Sequence, residues 1–254
     1  MLKVELHTHT ADDPSDWIRY STFDLIDRAA ALGYHALAVT LHDRQLDAGP
    51  YRAFAEARGI VLIPGIERTI EGRHVLLLNF TRASEAVKSF DDLARLKQRE
   101  PGLVIAPHPF FPALTALRGC MNRYGHLFDA VEYSAMFTTL VNFNVFGERW
   151  ARAHGKPMVG NGDVHRLEQL GTTYSLVDAE PTADAICAAI VAGRVQVVAQ
   201  PHSIFTAGRL MMELIADDVL PRRAPALVRH HSPQPVSNVR PKTVSPPDPL
   251  DLSS

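Results

Sequence analysis

The stretch Glu5-Leu6-His7-Thr8-His9-Thr10 closes the first apolar run of the chain, MLKVELHTHT at residues 1–10. A strand over Leu2 to Leu6 puts residues two apart on one face, so His7 and His9 leave that strand pointing the same way. Two imidazoles so close form one side of a metal site or are a coincidence. The rest of the chain decides between these, because the same event recurs at the ends of later apolar runs.

Strand and helix patterns alternate along the chain. Val4–His7 is followed by helical spacing over Thr22–Leu32 (Phe23, Leu25, Ile26, Ala29, Ala30), with Gly33 as its stop. Then come HALAVTLH (35–42), a helix around Tyr51–Arg58, IVLIPGIE (60–67) and HVLLLNF (74–80), the last two joined by a turn at Glu71-Gly72-Arg73. A helix at 91–99 precedes LVIAPHP (103–109) and AVEYSA (130–135). A helix over Val145–His154, then PMVGNGDVH (157–165), TTYSLVD (172–178), a helix over Ala183–Ala192 and VQVVAQ (195–200) complete the series. Strands with helical connections predict an α/β fold with a mostly parallel sheet, and runs such as VLLL and ALAV fit strands buried on both faces. A barrel of about seven strands is expected.

Potential ligands sit where these strands end. His7 and His9 end the first, His42 the second, Glu67 ends IVLIPGIE, His108 ends LVIAPHP, and Asp163 and His165 end PMVGNGDVH, again two apart. His74 is the exception, since it opens its strand. In parallel β/α proteins the loops after the strands form the active face, so these residues are expected on one rim. Six of the twelve histidines take part; His35, His126, His154, His202, His230 and His231 do not. Histidine and carboxylate without thiolate suit Zn, Mn or Fe in a reactive site. The set is too large for one ion, so two or three divalent ions are expected, with hydrolysis of a phosphate ester by metal-activated water as the reaction.

The whole-chain numbers agree. At 254 residues with 46% hydrophobic and 21% charged residues, the composition is that of a globular protein with a sizeable core. A net charge of −2 argues against a broad nucleic-acid-binding face. Cys120 and Cys187 are the only cysteines and have no metal-like spacing, which predicts a reducing, cytoplasmic compartment. No secretion signal and no membrane span are expected. Three regions are expected: a metallohydrolase domain over 1–203, a helix over 204–220, and a disordered Pro/Ser-rich tail over 221–254.

Taken in order, His-Thr-His (His7, His9), Ala-Val-Thr-Leu-His-Asp (His42), Pro-Gly-Ile-Glu (Glu67), His-Val-Leu-Leu-Leu (His74), Ala-Pro-His-Pro (His108) and Gly-Asp-Val-His (Asp163, His165) resemble the PHP (polymerase and histidinol phosphatase) family, from about Leu2 to Val177. The resemblance implies a distorted seven-stranded β/α barrel with a trinuclear metal centre and phosphoesterase activity. It implies His7, His9, His42, Glu67, His74, His108, Asp163 and His165 as ligands, with Glu67 bridging. A ninth ligand usually follows the first motif by a few residues; Asp12, Asp13 and Asp16 compete, and Asp16 fits the family pattern best, while Asp13 before Pro14 could shape the turn. Asp16, His42, Glu67 and His165 are the residues expected to serve catalysis. The family commonly has Asp before the second-motif histidine; this chain has Leu41, and Asp43 is the candidate substitute.

Arg44, Arg68 and Arg166 follow ligand motifs closely and are expected to clamp substrate phosphate. The expected substrate is a small-molecule or nucleotide phosphate ester, with a nucleic-acid polymer less favoured and no membrane partner. Two alternatives stand beside it. One is an amidohydrolase-like metal hydrolase, which would generally need a bridging lysine. The other is a non-catalytic partner-binding PHP module using the proline-rich tail.

Overall fold

In a computed structural model of the protein, residues 1–219 are described. Their order is β1 (Leu2–Thr8), α1 (Thr22–Ala31), β2 (Ala36–Val39), α2 (Arg52–Glu56), β3 (Val61–Ile70), β4 (Arg73–Leu78), α3 (Phe90–Arg99), β5 (Leu103–Ala106), α4 (Cys120–Tyr124), β6 (Ala130–Ser134), α5 (Asn144–Ala153), β7 (Met158–Asn161), β8 (Thr173–Val177), α6 (Ala183–Val191), β9 (Val195–Ala199) and α7 (Ile204–Val219). All nine apolar runs are strands. They form one nine-stranded sheet in the order β7-β6-β5-β4-β3-β2-β1-β8-β9. The expected tail over 221–254 lies outside the described residues.

Two expectations need correction. The sheet has nine strands rather than seven, because β8 and β9 extend it beyond β1. Nor is it mostly parallel. β1–β2, β2–β3, β5–β6 and β6–β7 pair parallel, whereas β3–β4, β4–β5, β1–β8 and β8–β9 pair antiparallel. A strand covered on both faces reads as an apolar run in either direction, so the sequence does not reveal its sense.

One core cluster explains the shape. It draws Val4 and Leu6 from β1, Ala36 and Ala38 from β2, Ile105 from β5, Val159 from β7 and Val177 from β8, together with Ile186 and Ile190 of α6. Residues so distributed can meet only if the sheet curls round, with α6 against its apolar interior. The curl nearly closes. Beyond β7, Val164 bridges Thr8 of β1, with Val164 N donating to the His7 carbonyl (3.1 Å) and His9 N to the Val164 carbonyl (3.1 Å). Across the same seam Gly160 N donates to Ser175 Oγ at 2.8 Å. A Cβ on Gly160 would lie 2.7 Å from the Tyr174 carbonyl oxygen, so glycine is what lets β7 approach β8.

Helices cover the outside. Phe90 and Leu93 of α3 and Trp150 of α5 pack on β3–β6, and Leu25 and Ile26 of α1 pack on β2. α1 starts at a reciprocal cap between Ser21 and Asp24, and Gly33, at φ 72°, follows its end as the sequence predicts. Both cysteines are free, and no helix among the described residues is long and apolar enough to cross a membrane.

Candidate metal centre

Strand direction delivers the histidines and carboxylates to one mouth. β1, β2, β5 and β7 end there and carry His7, His9, His42, His108, Asp163 and His165. β3 brings Glu67 late in its length, then turns back through Glu71 (φ 49°) and Gly72 (φ 74°), a two-residue turn that needs positive φ at both positions. β4 therefore starts where β3 ends. This is why His74, opening its strand, still reaches the mouth.

Glu67 is buried at the centre. Its Oε2 lies 3.3 Å from His7 Nε2, 3.3 Å from His9 Nε2 and 3.2 Å from His42 Nε2. Its Oε1 lies 2.7 Å from His74 Nδ1 and 3.4 Å from His108 Nε2. Asp163 Oδ1 sits 3.3 Å from His7 Nε2, 3.5 Å from His9 Nε2 and 3.4 Å from His165 Nδ1. Asp16 Oδ2 is 2.9 Å from His165 Nε2 and 3.6 Å from His42 Nδ1. All nine expected ligands are thus gathered in one cluster, and among the three competing aspartates Asp16 is the one beside His165.

The remaining aspartates do other work. Asp13 Oδ1 accepts from the Ser15 and Asp16 amides (2.8 and 3.0 Å), shaping the turn. Its Oδ2 also accepts from His9 Nδ1 (2.9 Å), His42 Nδ1 (3.1 Å) and the His42 amide (3.0 Å). Asp12 is held by Thr22 Oγ1 and Tyr51 OH at 2.8 and 2.9 Å. Asp43, the candidate to stand in for the aspartate that Leu41 replaces, instead pairs with Arg68 (2.6 Å) and the Thr69 amide (2.7 Å). The support for His42 comes from Asp13.

Sequence reasoning missed two further groups. Glu132, buried in β6, accepts from His7 Nδ1 (2.9 Å), the His108 amide (2.7 Å) and Asn161 Nδ2 (2.9 Å). Glu5, buried in β1, accepts from the backbone of Leu6, His7 and Gly162. A signal existed for both: a carboxylate inside an apolar strand, in VEL and in AVEYSA, costs too much to bury without partners.

The three arginines are already engaged. Arg44 donates to the Asp12 carbonyl, and Arg68 to the Val87 carbonyl (2.5 Å) and Asp43. Arg166 is half-buried, with its amide on Gln169 Oε1 at 2.7 Å.

The donor set fits metal ions. Nε2 of His7 and His9, Nδ1 of His108 and Oδ1 of Asp163 are buried without a hydrogen-bond partner, a costly arrangement unless something else satisfies them. Ligand atoms about 2.1 Å from one ion stand roughly 3.0–3.4 Å apart, the range in which the Nε2 atoms surround Glu67 Oε2. The far nitrogens of His7, His9 and His42 rest on carboxylates, as metal-binding imidazoles usually do. Asp43 (φ 56°), His108 (φ 29°) and Asp163 (φ 47°) hold left-handed backbone conformations in and beside the cluster, where such strain tends to concentrate.

Charges inside the cluster balance one another. Burial alone would lower the pKa of His7, but Asp163, Glu132 and Glu67 outweigh it and raise the imidazole well above its usual value. His9 is likewise raised against burial by Asp13, Asp163 and Glu67. Burial would raise Glu67, yet the His7 and His74 charges and the His108 hydrogen bond hold it well below the carboxylate range. Asp163 and Asp13 are lowered in the same way by their histidines. Glu5 differs: burial dominates and pushes it up to about 8.

The same architecture occurs in solved structures. A two-domain protein from Bacteroides vulgatus, containing a predicted PHP-like metal-dependent phosphoesterase, superposes with a TM-score of 0.59 at 18% identity, over 84% of this chain and 69% of that one. Residues 142–195, from the loop before α5 into β9, match the family model PHP_C, described as PHP-associated. The family model thus covers that C-terminal segment, and the fold as a whole is that of the PHP-like neighbour. An amidohydrolase from Chromobacterium violaceum, solved with bound sulfate and no metal, shares this fold at TM-score 0.56 and 18% identity, over 76% of this chain and 97% of that one. So does the lesion-specific endonuclease EndoQ of Pyrococcus furiosus, at 0.53 and 15%, over 83% and 66%. At these identities the likenesses speak for the fold. No curated protein sequence matches the chain.

Proposed function

We propose that this protein is a metal-dependent phosphoesterase of the PHP family that hydrolyses a small-molecule or nucleotide phosphate ester. The observation that carries the reading is the convergence of five imidazoles on the buried Glu67 carboxylate, with the inward Nε2 atoms of His7 and His9 buried and making no hydrogen bond. His7, His9, His42, His74, His108, His165, Asp16, Asp163 and a bridging Glu67 would hold two or three divalent ions of the Mn, Zn or Fe kind. When bound, such ions acidify water and neutralise charge on phosphoryl oxygens.

The chain's own groups prepare the site. The Nδ1–H of His7 donates to Glu132 and those of His9 and His42 to Asp13, which leaves each Nε2 lone pair turned inward. The partly exposed Asp16–His165 pair, 2.9 Å apart at the rim, would complete the ligand set on the open side of the site, where substrate enters. Arg44 and Arg166 flank the ligand segments and would meet a substrate phosphate by exchanging their present contacts; Arg68, tied to Asp43 and Val87, is the weaker candidate. The phosphoesterase and endonuclease labels on neighbours of the same fold agree with phosphoryl chemistry, and the amidohydrolase neighbour defines the competing reading.

The test is elemental analysis of purified protein beside turnover of an aryl phosphate, a nucleoside monophosphate, a carboxylic ester and an amide. Metal in the wild type, phosphate-ester turnover, and loss of both in His108→Ala support the reading. Amide or ester turnover without phosphatase activity sinks it, as does undiminished aryl phosphate turnover in His108→Ala.

A further inference from the structure

β1 does not run straight into the mouth. Glu5 pairs with Leu37 and Thr8 with Val39, so three steps along β1 face two along β2. An extra residue of this kind reverses which side chains face inward. Upstream, Val4 and Leu6 join the barrel's apolar interior. With regular alternation His7 would then point outward together with Glu5. Instead His7 reaches Glu67 and Glu132, and His9 reaches Glu67 and Asp163.

A bulge leaves backbone N–H groups without ladder partners, and here one side chain takes them. Glu5 Oε1 accepts from the Leu6 and His7 amides at 3.1 Å each. The same carboxylate accepts from the Gly162 amide, at 2.9 Å to Oε1 and 3.0 Å to Oε2. Gly162 immediately precedes Asp163, which holds φ 47°. A Cβ on Gly162 would sit 2.5 Å from Val164 Cγ2 and 3.2 Å from Glu5 Oε2, so the approach is already tight.

We infer that Glu5 is a positioning residue for the metal centre, a buried clamp that holds the β1 bulge and fixes it to the turn carrying Asp163. It touches neither metal nor substrate. It acts by aiming His7 and His9 from one strand and Asp163 from another, which are distant in sequence but share this single acceptor. The inference rests on the metal-hydrolase reading above, since aiming matters only if the cluster binds ions.

Glu5→Gln tests it. The amide keeps the side chain's shape and one acceptor oxygen but sets an NH₂ against one of the three backbone donors. Affinity for Zn²⁺ or Mn²⁺, measured by competition with a chromogenic chelator, is expected to fall roughly 10–100-fold, the usual effect of removing an outer support. The variant should melt near the metal-free wild type, and amide exchange at Leu6, His7 and Gly162 should accelerate. A role in stability alone would move the melting temperature and leave affinity unchanged. A folded Glu5→Gln protein with wild-type affinity and wild-type exchange overturns the inference. If that variant fails to fold, Gly162→Ala displaces the clamp's other partner while keeping Glu5. Loss of affinity there supports the clamp, and wild-type affinity rejects it. A wild-type protein that binds no metal instead sinks the functional reading itself, a separate result.

Discussion

The apolar interior and the mouth of the barrel are built by the same strands under opposite rules. In the interior, Val4, Leu6, Ile105, Val159, Ile186 and Ile190 are buried and ask of one another only volume and shape. At the mouth, His7, His9 and Glu67 are just as buried, yet each needs a specific partner at a specific atom. β1 passes from one regime to the other within a single residue, between Leu6 and His7. Apolar packing makes the barrel stable, whereas the mouth carries paired charges that are costly to bury and worth keeping for chemistry. The two ends should therefore respond differently to pH, to mutation and to metal.

The largest expected effect is collective and falls on the mouth. Without metal, the raised pKa values of His7, His9, His42 and His108 contribute stability that is complete below their unfolded value near 6.5 and is lost as pH climbs through the folded values. Glu5, raised to about 8, acts in the same direction, its contribution fading between the ordinary glutamate value and about 8. The lowered carboxylates Asp13, Asp16, Glu67 and Asp163 contribute above the usual carboxylate range and lose that contribution as pH falls. The metal-stripped protein should be most stable at about pH 4.5–6.5 and melt progressively earlier toward pH 8.5. Metal requires unprotonated imidazoles, so its stabilisation should grow over the same interval. Melting curves with chelator and with added Zn²⁺ or Mn²⁺ check both; a chelated protein whose melting point climbs from pH 6.5 to 8.5 contradicts the charge assignment.

Next comes a change confined to the interior. Ile190→Ala opens a cavity where α6 meets the strands and should cost about 2–5 kcal/mol. Denaturant unfolding measures that cost. Metal affinity per folded molecule should stay as it was, and a tenfold fall would mean that the interior and the mouth are coupled through the strands.

How much of this was legible beforehand follows the same division. Apolar runs declare strands, and all nine were readable. Histidines two apart at strand ends point to a site, so the residues that the structure gathers at the mouth could be named beforehand, including the awkward His74, with Asp16 added through the family resemblance. Strand sense was not readable, because VLLL is equally apolar in a parallel or an antiparallel pair; hence the mistaken parallel majority, while the count of seven fell short because no local pattern shows that β8 and β9 join the same sheet. The supporting carboxylates were hidden for another reason. Glu132 acquires its role from His7, far away in sequence, and Asp13 from both His9 and the distant His42, so a carboxylate inside AVEYSA signals that it needs partners without saying which. Glu5 sits directly beside the motif, but its role depends on a bulge that regular alternation does not predict.

A smaller effect separates the support of the mouth from its ligands. Asp13→Asn keeps the size of the side chain but exchanges one acceptor oxygen for a donor, facing either the two imidazoles or the turn amides. Metal affinity should fall roughly 10–100-fold with the protein still folded. Chelator competition measures it, and unchanged affinity would remove Asp13 from the account of how His9 and His42 are aimed.

Asp43 supplies the smallest effect and the sharpest contrast with Asp13. Both aspartates flank the mouth near His42, and from the sequence Asp43 was the obvious support because it is adjacent. In the structure its carboxylate turns to Arg68 and the Thr69 amide, and its side chain is 42% exposed. Asparagine tolerates the left-handed backbone at this position and can still accept from Thr69, so Asp43→Asn removes little beyond one charge of a half-exposed pair. The cost should be under about 1 kcal/mol, and metal affinity should not change. Measured side by side with Asp13→Asn, equal losses of affinity would show that adjacency in sequence had been the better guide; a loss in Asp13→Asn alone would show that His42 takes its support from the turn after the first strand.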